Sequence, residues 1–141
     1  MKQFLKHIPY LFLILLLVTT TGCKDDDEEQ AGPETAAMLS NGAWIGTTVI
    51  EDGENVTEQY AAQNQDIRKL EIVFTNNGRV TSTYNDGRPE AGTWKLVNDN
   101  KAILFMENTP NEMEGKILVL TETDFRVKND GIDLELRFVK K

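Results

Sequence analysis

Apolar and polar residues alternate with a period of two along most of the chain. In the segment 70–74 (LEIVF) the apolar residues Leu70, Ile72 and Phe74 fall on one face, and the segment 132–138 (IDLELRF) repeats the pattern. Successive side chains of a strand point to opposite faces, whereas a helix would repeat every 3.6 residues. The pattern predicts half-buried antiparallel strands with one apolar and one polar face.

Short turn motifs separate the alternating segments. Asn-Gly and Asp-Gly pairs, which favour the positive φ angles of tight hairpins, begin at Asp52, Asn77 and Asp86. Short strands joined by hairpins are typical of a sandwich or an up-and-down barrel, and the succession of hairpins favours the barrel. The eight predicted strands cover residues 43–50, 67–75, 79–85, 91–97, 101–106, 116–121, 124–128 and 131–139.

Two segments of this region do not alternate. Residues 33–41 are predicted to form a helical turn, and residues 56–65, a polar stretch around Tyr60, a helix or a loop. The second segment belongs to the longest predicted connection. We therefore expect it to cover an open end of the barrel.

The N-terminus has the order of a secretory signal peptide. Lys2 and Lys6 precede an uncharged apolar run, residues 8–18, and small polar residues follow at 19–22. The run is shorter than the roughly 20 residues that a transmembrane helix needs. Residues 1–22 are therefore predicted to be a signal peptide that is removed.

Cys23, the only cysteine, comes directly after this segment. The sequence Thr20-Thr21-Gly22-Cys23 resembles the lipobox of bacterial lipoproteins, although Thr20 stands where leucine is usual. The resemblance implies that Cys23 is acylated, whereas the alternative is an incidental free thiol with no partner for a disulfide. Each buried methylene contributes roughly 0.8 kcal/mol, so several acyl chains would anchor the protein permanently.

An acidic tether is predicted at residues 23–37, because Lys24 is followed by five consecutive acids, which repel one another and cannot bury apolar surface. Lysine followed by acids also resembles the signal that sends lipoproteins of Bacteroidota to the outer face of the outer membrane. The resemblance implies a lipid-anchored, surface-exposed protein whose folded domain covers residues 38–141.

Removal of the signal peptide changes the chemistry that remains. It takes away His7, the only histidine, and leaves 13 basic against 23 acidic side chains, a net charge of −10. This charge argues against nucleic acid or anionic lipid as partners. Ser40 and Ser82, the only serines, have no histidine partner, which excludes His-assisted hydrolases. Carboxylate-pair chemistry stays open, but we expect no enzyme and no cofactor.

A metal site is not expected either. Glu107, Glu112 and Glu114 offer oxygens that calcium accepts, yet their spacing differs from that of a dedicated calcium loop. A solvated surface loop is the better interpretation of these residues.

Gly42-Ala43-Trp44, at the start of the first predicted strand, resembles the Gly-x-Trp signature of lipocalins. Later segments, such as 70–84 and 115–128, are similar to small lipocalin-like domains of Bacteroidota lipoproteins. The resemblance implies an all-β, antiparallel, up-and-down eight-stranded lipocalin-like barrel over nearly all of residues 38–141. It also implies a cation from the last strand over Trp44, and Arg137 is the predicted partner.

The resemblance further implies a protein that binds a small hydrophobic ligand inside the barrel. An eight-stranded barrel is either filled by side chains or just wide enough for one small ligand. The candidate wall residues are Trp44, Tyr60, Tyr84 and Trp94, for which core packing is the alternative. Six aromatic residues are expected to point inside, and their number favours a filled interior: Phe74, Tyr84, Trp94, Phe105, Phe125 and Phe138.

A second hypothesis for the function is a non-catalytic accessory or interaction subunit of a cell-envelope assembly.

Overall fold

The computed structural model describes residues 31–85 and 87–141. The predicted signal peptide, Cys23, residues 24–30 of the predicted tether and Asp86 of one predicted turn lie outside the described residues. Residues 31–37, which were also predicted to belong to the tether, are helical. Among the described residues, no helix is long and apolar enough to cross a membrane.

Most of the described chain consists of short strands. A helix precedes the first strand, and a second helix and a 3-10 turn occupy the long connection after β2. The elements are α1 (Ala31–Ser40), β1 (Ala43–Glu51), β2 (Glu54–Asn55), α2 (Thr57–Ala62), the 3-10 turn Ile67–Lys69, β3 (Leu70–Phe74), β4 (Arg79–Tyr84), β5 (Glu90–Val97), β6 (Ala102–Phe105), β7 (Met113–Leu120), β8 (Asp124–Asn129) and β9 (Leu134–Lys140).

The strands form a closed, all-antiparallel barrel. Strands β3 to β9 pair in chain order, β1 pairs with β3 on one side and with β9 on the other, and β2 is a two-residue addition to β1. Eight strands, β1 and β3–β9, therefore close the barrel. The predicted fold class is confirmed. Strands that pair with their neighbours in chain order, with the first strand paired to the last, form an up-and-down barrel.

Turn residues adopt the backbone conformations that the sequence predicts. Asp52 and Gly53, between β1 and β2, have φ angles of 51° and 81°. Gly78, between β3 and β4, has a φ of 79°, and residues 98–100 (Asn-Asp-Asn) are also left-handed. Asparagine, aspartate and glycine tolerate this region best, which explains why the chain reverses at these positions.

Alternation places one apolar face of each strand inside. In β3, Leu70 and Ile72 face a cavity and Phe74 is 1% exposed. In β9, Leu134, Leu136 and Phe138 are the inward residues, and the residues between them point outward. The barrel core thus comes from the period-two pattern.

The two ends of the barrel differ. Helix α1, both chain ends of the described domain and the β3–β4, β5–β6 and β7–β8 connections lie at one end, called here the helix end. The connections β1–β3, β4–β5, β6–β7 and β8–β9 lie at the other end, called here the loop end.

Aromatic rings fill the helix end. Trp44 is fully buried, its indole N–H donates to the carbonyl of Leu39 at 2.9 Å, and its ring lies 5.6 Å from that of Phe125 between centroids. Phe125 in turn contacts Phe74 and Phe138, with centroids 6.0 and 5.5 Å away. Aromatic pairs at these separations add stability beyond their buried area. The helix end is therefore sealed.

The long β2–β3 connection packs against β1. Val56 and Ile67 are buried in the core, and the Thr57 hydroxyl accepts a hydrogen bond from the Val49 amide at 3.0 Å. Gly46 leaves room for the turn, since a Cβ there would lie 2.3 Å from the Ile67 carbonyl oxygen. Of the two alternatives predicted for residues 56–65, a helix or a loop, the structure has a helix, α2. None of its residues lines the barrel cavity.

Candidate functional site

A cavity of about 430 Å³ occupies the loop end of the barrel interior. Its floor is formed by inward side chains of the aromatic cluster, Phe105, Phe125 and Phe138, together with Val80. Cavities of roughly 300–1,000 Å³ are the usual size of small-molecule sites. The loop end therefore has room for one small ligand.

The wall above this floor is largely aliphatic. Leu70 and Ile72 contribute from β3, Val127 from β8, and Leu134 and Leu136 from β9. All five are inward positions of their strands, so the barrel's alternation directly builds an apolar wall.

Glycine at two inward wall positions lets neighbouring side chains lean into the lining. A Cβ at Gly115 would lie 2.4 Å from a methyl carbon of Val127, and one at Gly92 would lie 2.5 Å from the sulfur of Met106. Met106 and Val127 both line the cavity. The glycines therefore shape the wall by allowing close approach.

Polar groups lie towards the mouth of the cavity. Ser82 is on β4, Glu90 begins β5, Asn111 is in the β6–β7 connection, and Asn129 ends β8. The Asn129 side-chain oxygen accepts a hydrogen bond from the Gly131 amide at 2.9 Å, which fixes its orientation. Glu90 is the only ionisable residue among those that line the cavity in the described chain.

The two predicted tryptophans are core residues and do not line the cavity. Trp44 lies at the sealed helix end, as described above. Trp94 is 7% exposed, donates its indole N–H to the Thr75 carbonyl at 3.0 Å, and meets the Phe74 ring edge-on at 5.2 Å. Their contacts hold the barrel together.

The two predicted tyrosines also lie away from the cavity wall. Tyr60, on α2, is half-buried against the core, and Tyr84, at the end of β4, is 38% exposed. The Tyr84 hydroxyl donates to the carbonyl of Asn64 at 2.9 Å and so ties β4 to the long connection. The prediction that these four rings form the wall is corrected: the aromatic wall residues are phenylalanines.

The expectation of a filled interior also needs correction. The rings of Phe74, Trp94, Phe105, Phe125 and Phe138 contact one another in one cluster. Because this cluster occupies the helix end and the cavity floor, it leaves the loop end open. The sequence correctly predicted most of the aromatic residues that point inward, but it could not predict how far along the barrel axis each ring lies.

The cation over Trp44 is Lys140 and not Arg137. The Lys140 ammonium lies 3.9 Å from the centroid of the Trp44 ring and donates to the carbonyl oxygens of Met38, at 3.1 Å, and Asn41. Burial lowers the pKa of Lys140. Arg137 pairs instead with Glu135, 2.7 Å from guanidinium nitrogen to carboxylate oxygen, because both point outward from β9.

Replacing Lys140 with methionine should lower the free energy of unfolding by about 1–3 kcal/mol. The change keeps an apolar stem but removes the cation over the indole and the donors to two carbonyls near the end of α1. Arg137→Met is the matched control on the same strand and should change stability by less than about 1 kcal/mol, since this half-buried ion pair lies on the outer face of the barrel, where such pairs contribute little. Urea denaturation of both variants would measure this. A larger loss for the Arg137 variant would contradict the assignment.

The three glutamates considered for calcium have separate protein partners. Glu107 pairs with Lys95, Glu112 accepts from the Asn108 amide at 2.8 Å, and Glu114 accepts from the Asn98 side chain at 2.6 Å. Within residues 31–85 and 87–141, no group of three or more His, Cys, Asp or Glu side chains could hold a metal ion.

Two solved structures share this architecture. One is a DUF4847 family protein from Bacteroides vulgatus, 14% identical, with a TM-score of 0.54 over 73% of this chain and 94% of that one. The other is a lipocalin-like protein from Bacteroides uniformis, 15% identical, with a TM-score of 0.53 over 74% and 99% of the two chains. At such identities the likeness concerns the fold alone.

Comparison of the sequence with protein-family models identifies the family. No functionally curated protein matches the chain. The model of the lipocalin-like domain family matches residues 41–127, more than half of the chain, from the residue before Gly42 to the cavity residue Val127. With its closed eight-stranded barrel and its Gly-x-Trp start, the chain belongs to the lipocalin-like domain family.

Proposed function

We propose that the barrel binds one small, predominantly apolar molecule in the cavity at its loop end. The observation that supports this most is the cavity of about 430 Å³ with its aliphatic and phenylalanine wall. A filled interior would have favoured the alternative role as an accessory subunit of an envelope assembly. The proposal involves binding and no catalysis.

The expected affinity follows from the apolar surface that binding removes from water. About 400 Å² of ligand and wall surface, at roughly 25 cal/mol per Å², contributes about 10 kcal/mol. Association costs at least about 4 kcal/mol in lost translational and rotational freedom. The net of at most about 6 kcal/mol corresponds to a dissociation constant of some tens of micromolar or weaker.

A titration with a neutral apolar dye tests this proposal. Nile red should gain fluorescence in a saturable manner with one site per barrel, and decanol should displace it, since both ligands compete for the same apolar volume. Absence of saturable binding by the dye and of any heat on titrating decanol would contradict the proposed function.

We also propose that the protein is a lipoprotein held at the outer membrane through Cys23, with the barrel exposed at the cell surface. Supporting this are the order of charged, apolar and small residues before Cys23 and the acidic run after it. The eight residues from Cys23 to Ala31, where α1 begins, span about 15 Å as a coil and at most about 28 Å extended. The barrel would therefore stand clear of the lipid.

Cys23→Ala should abolish anchoring, because no thiol remains to be acylated. Detergent-phase partitioning of cell extracts should find the natural protein in the detergent phase and the variant either in the aqueous phase or with its signal uncleaved. Thr20→Leu, which restores the usual lipobox residue, should leave partitioning unchanged. A Cys23 variant that is cleaved and still enters the detergent phase would refute lipidation.

A further inference from the structure

We infer that the ligand carries a positively charged head group that binds the Glu90 carboxylate at the mouth of the cavity while its apolar body lies inside. This inference rests on the proposed function and specifies the class of ligand. It would make the protein a binder of cationic amphiphiles, such as long-chain amines, in preference to fatty acids.

The position of Glu90 is set by strand pairing. Glu90 lies opposite Ser82 across the β4–β5 ladder, and residues opposite each other in an antiparallel pair point to the same face. Both residues line the cavity. Glu90 therefore belongs to the inner face of the barrel, at the edge where the wall meets solvent.

The Glu90 carboxylate is available to a ligand. It makes no hydrogen bond or ion pair with any other residue in the described part of the chain. Glu90 is exposed at the rim of the cavity, so a cation placed beside it gains a modest attraction that salt screens. An amine placed here would keep its alkyl chain against Leu70, Ile72 and the phenylalanine floor.

The wall offers nothing comparable to an anionic head group. No lysine, arginine or histidine is among the described residues that line the cavity. Two of the bases at the loop end already have acidic partners: Arg68 pairs with Asp66 and Glu58, and Lys128 with Asp133. Arg88, two residues before Glu90, is exposed and outside the wall.

Acidic residues around the mouth of the cavity also favour a cationic ligand over an anionic one. The connections of the loop end carry further acids that form no ion pair with a basic side chain among the described residues, including Glu54, Glu112 and Asp130. A concentration of one sign of charge around a low-dielectric opening raises the local concentration of oppositely charged ligands. Fatty acids would meet repulsion both at the rim and at Glu90.

Three probes with the same ten-carbon chain separate head-group charge from apolar burial. Decylammonium, decanol and decanoate are each titrated into the full protein by displacement of Nile red, at low salt and neutral pH. We expect decylammonium to bind about three- to fivefold more tightly than decanol, and decanoate more weakly than decanol. The preference should shrink as salt is added.

Two charge-neutralising variants locate the effect. Glu90→Gln should bring the affinity for decylammonium to within about twofold of that for decanol, and the ratio of these two affinities, measured on the same variant, is the readout. Glu122→Gln makes the same change of net charge in the β7–β8 connection at the helix end, and it should retain the preference.

The outcomes distinguish this inference from the proposed function. Decanol binding without a preference for decylammonium would overturn the inference and leave the proposed function standing. A preference that survives in the Glu90 variant, or disappears in the Glu122 variant, would also overturn it. If none of the three probes displaces the dye and the dye itself does not bind, the proposed function fails first.

Discussion

Replacing Trp44 with alanine is expected to lower the free energy of unfolding by about 3–5 kcal/mol, as large-to-small changes in a core do. The indole is fully buried at the helix end, packs on Phe125 and donates to the Leu39 carbonyl. Its loss would leave a cavity, an unsatisfied carbonyl and the Lys140 ammonium without its ring. Urea denaturation followed by circular dichroism would measure the change.

Trp44→Phe is the control that separates packing from the polar contacts. It keeps most of the ring but loses the indole N–H, so it should cost only about 1–2 kcal/mol. If the alanine variant loses less than about 1 kcal/mol, Trp44 is not a core residue and the sealed helix end is wrong.

Replacing Ser82 with tryptophan should weaken the binding of Nile red at least about 50-fold. Ser82 is a small inward residue of the wall, and an indole there would occupy part of the cavity of about 430 Å³. Displacing about 100 Å² of ligand contact costs about 2.5 kcal/mol, which accounts for this factor. Fluorescence titration of the variant would measure it.

Thr83→Trp is the matched control for this experiment. Thr83 is the next residue on β4 and points outward, opposite Glu71 of β3. The same large side chain there should leave dye binding within about twofold of the original. Equal loss in both variants would mean that binding depends on the outer surface or on general stability and not on the cavity.

The fold could be predicted because one physical rule, period-two burial, applies to nearly every strand. Boundaries failed where tertiary contacts override local pattern. Strand β7 begins at Met113, three residues before its predicted start, because Met113 pairs with Phe105 of β6. The predicted strand from residue 67 begins with a 3-10 turn, since the Asp66 side chain accepts from the Arg68 amide at 3.1 Å.

The prediction of Arg137 as the cation over Trp44 was wrong, and the alternation along β9 is enough to correct it. Alternation had already placed Arg137 on the polar face opposite Phe138, and a residue on that face cannot reach an indole inside the barrel. Lys140 shares the inward parity of Phe138 and lies opposite Trp44 across the β1–β9 ladder. The family resemblance gave the correct kind of contact, and parity alone would have given the residue.

The cavity could not be predicted from the same reasoning. Alternation along a strand tells which side chains point into the barrel. Their position along the barrel axis depends on the stagger between neighbouring strands, and this stagger is set by pairing between residues that are far apart in sequence. Glu90 shows the difficulty, because it precedes the predicted strand 91–97 and enters the wall only through its pairing with Ser82.

Native mass spectrometry of the protein, purified gently from the envelope of its own host, tests the central claim most directly. Binding in the cavity predicts a reproducible added mass of small-molecule size that is released on denaturation and is absent from the Ser82→Trp variant. A bare protein mass that does not shift on addition of envelope lipid extract would contradict the claim that the barrel holds a ligand.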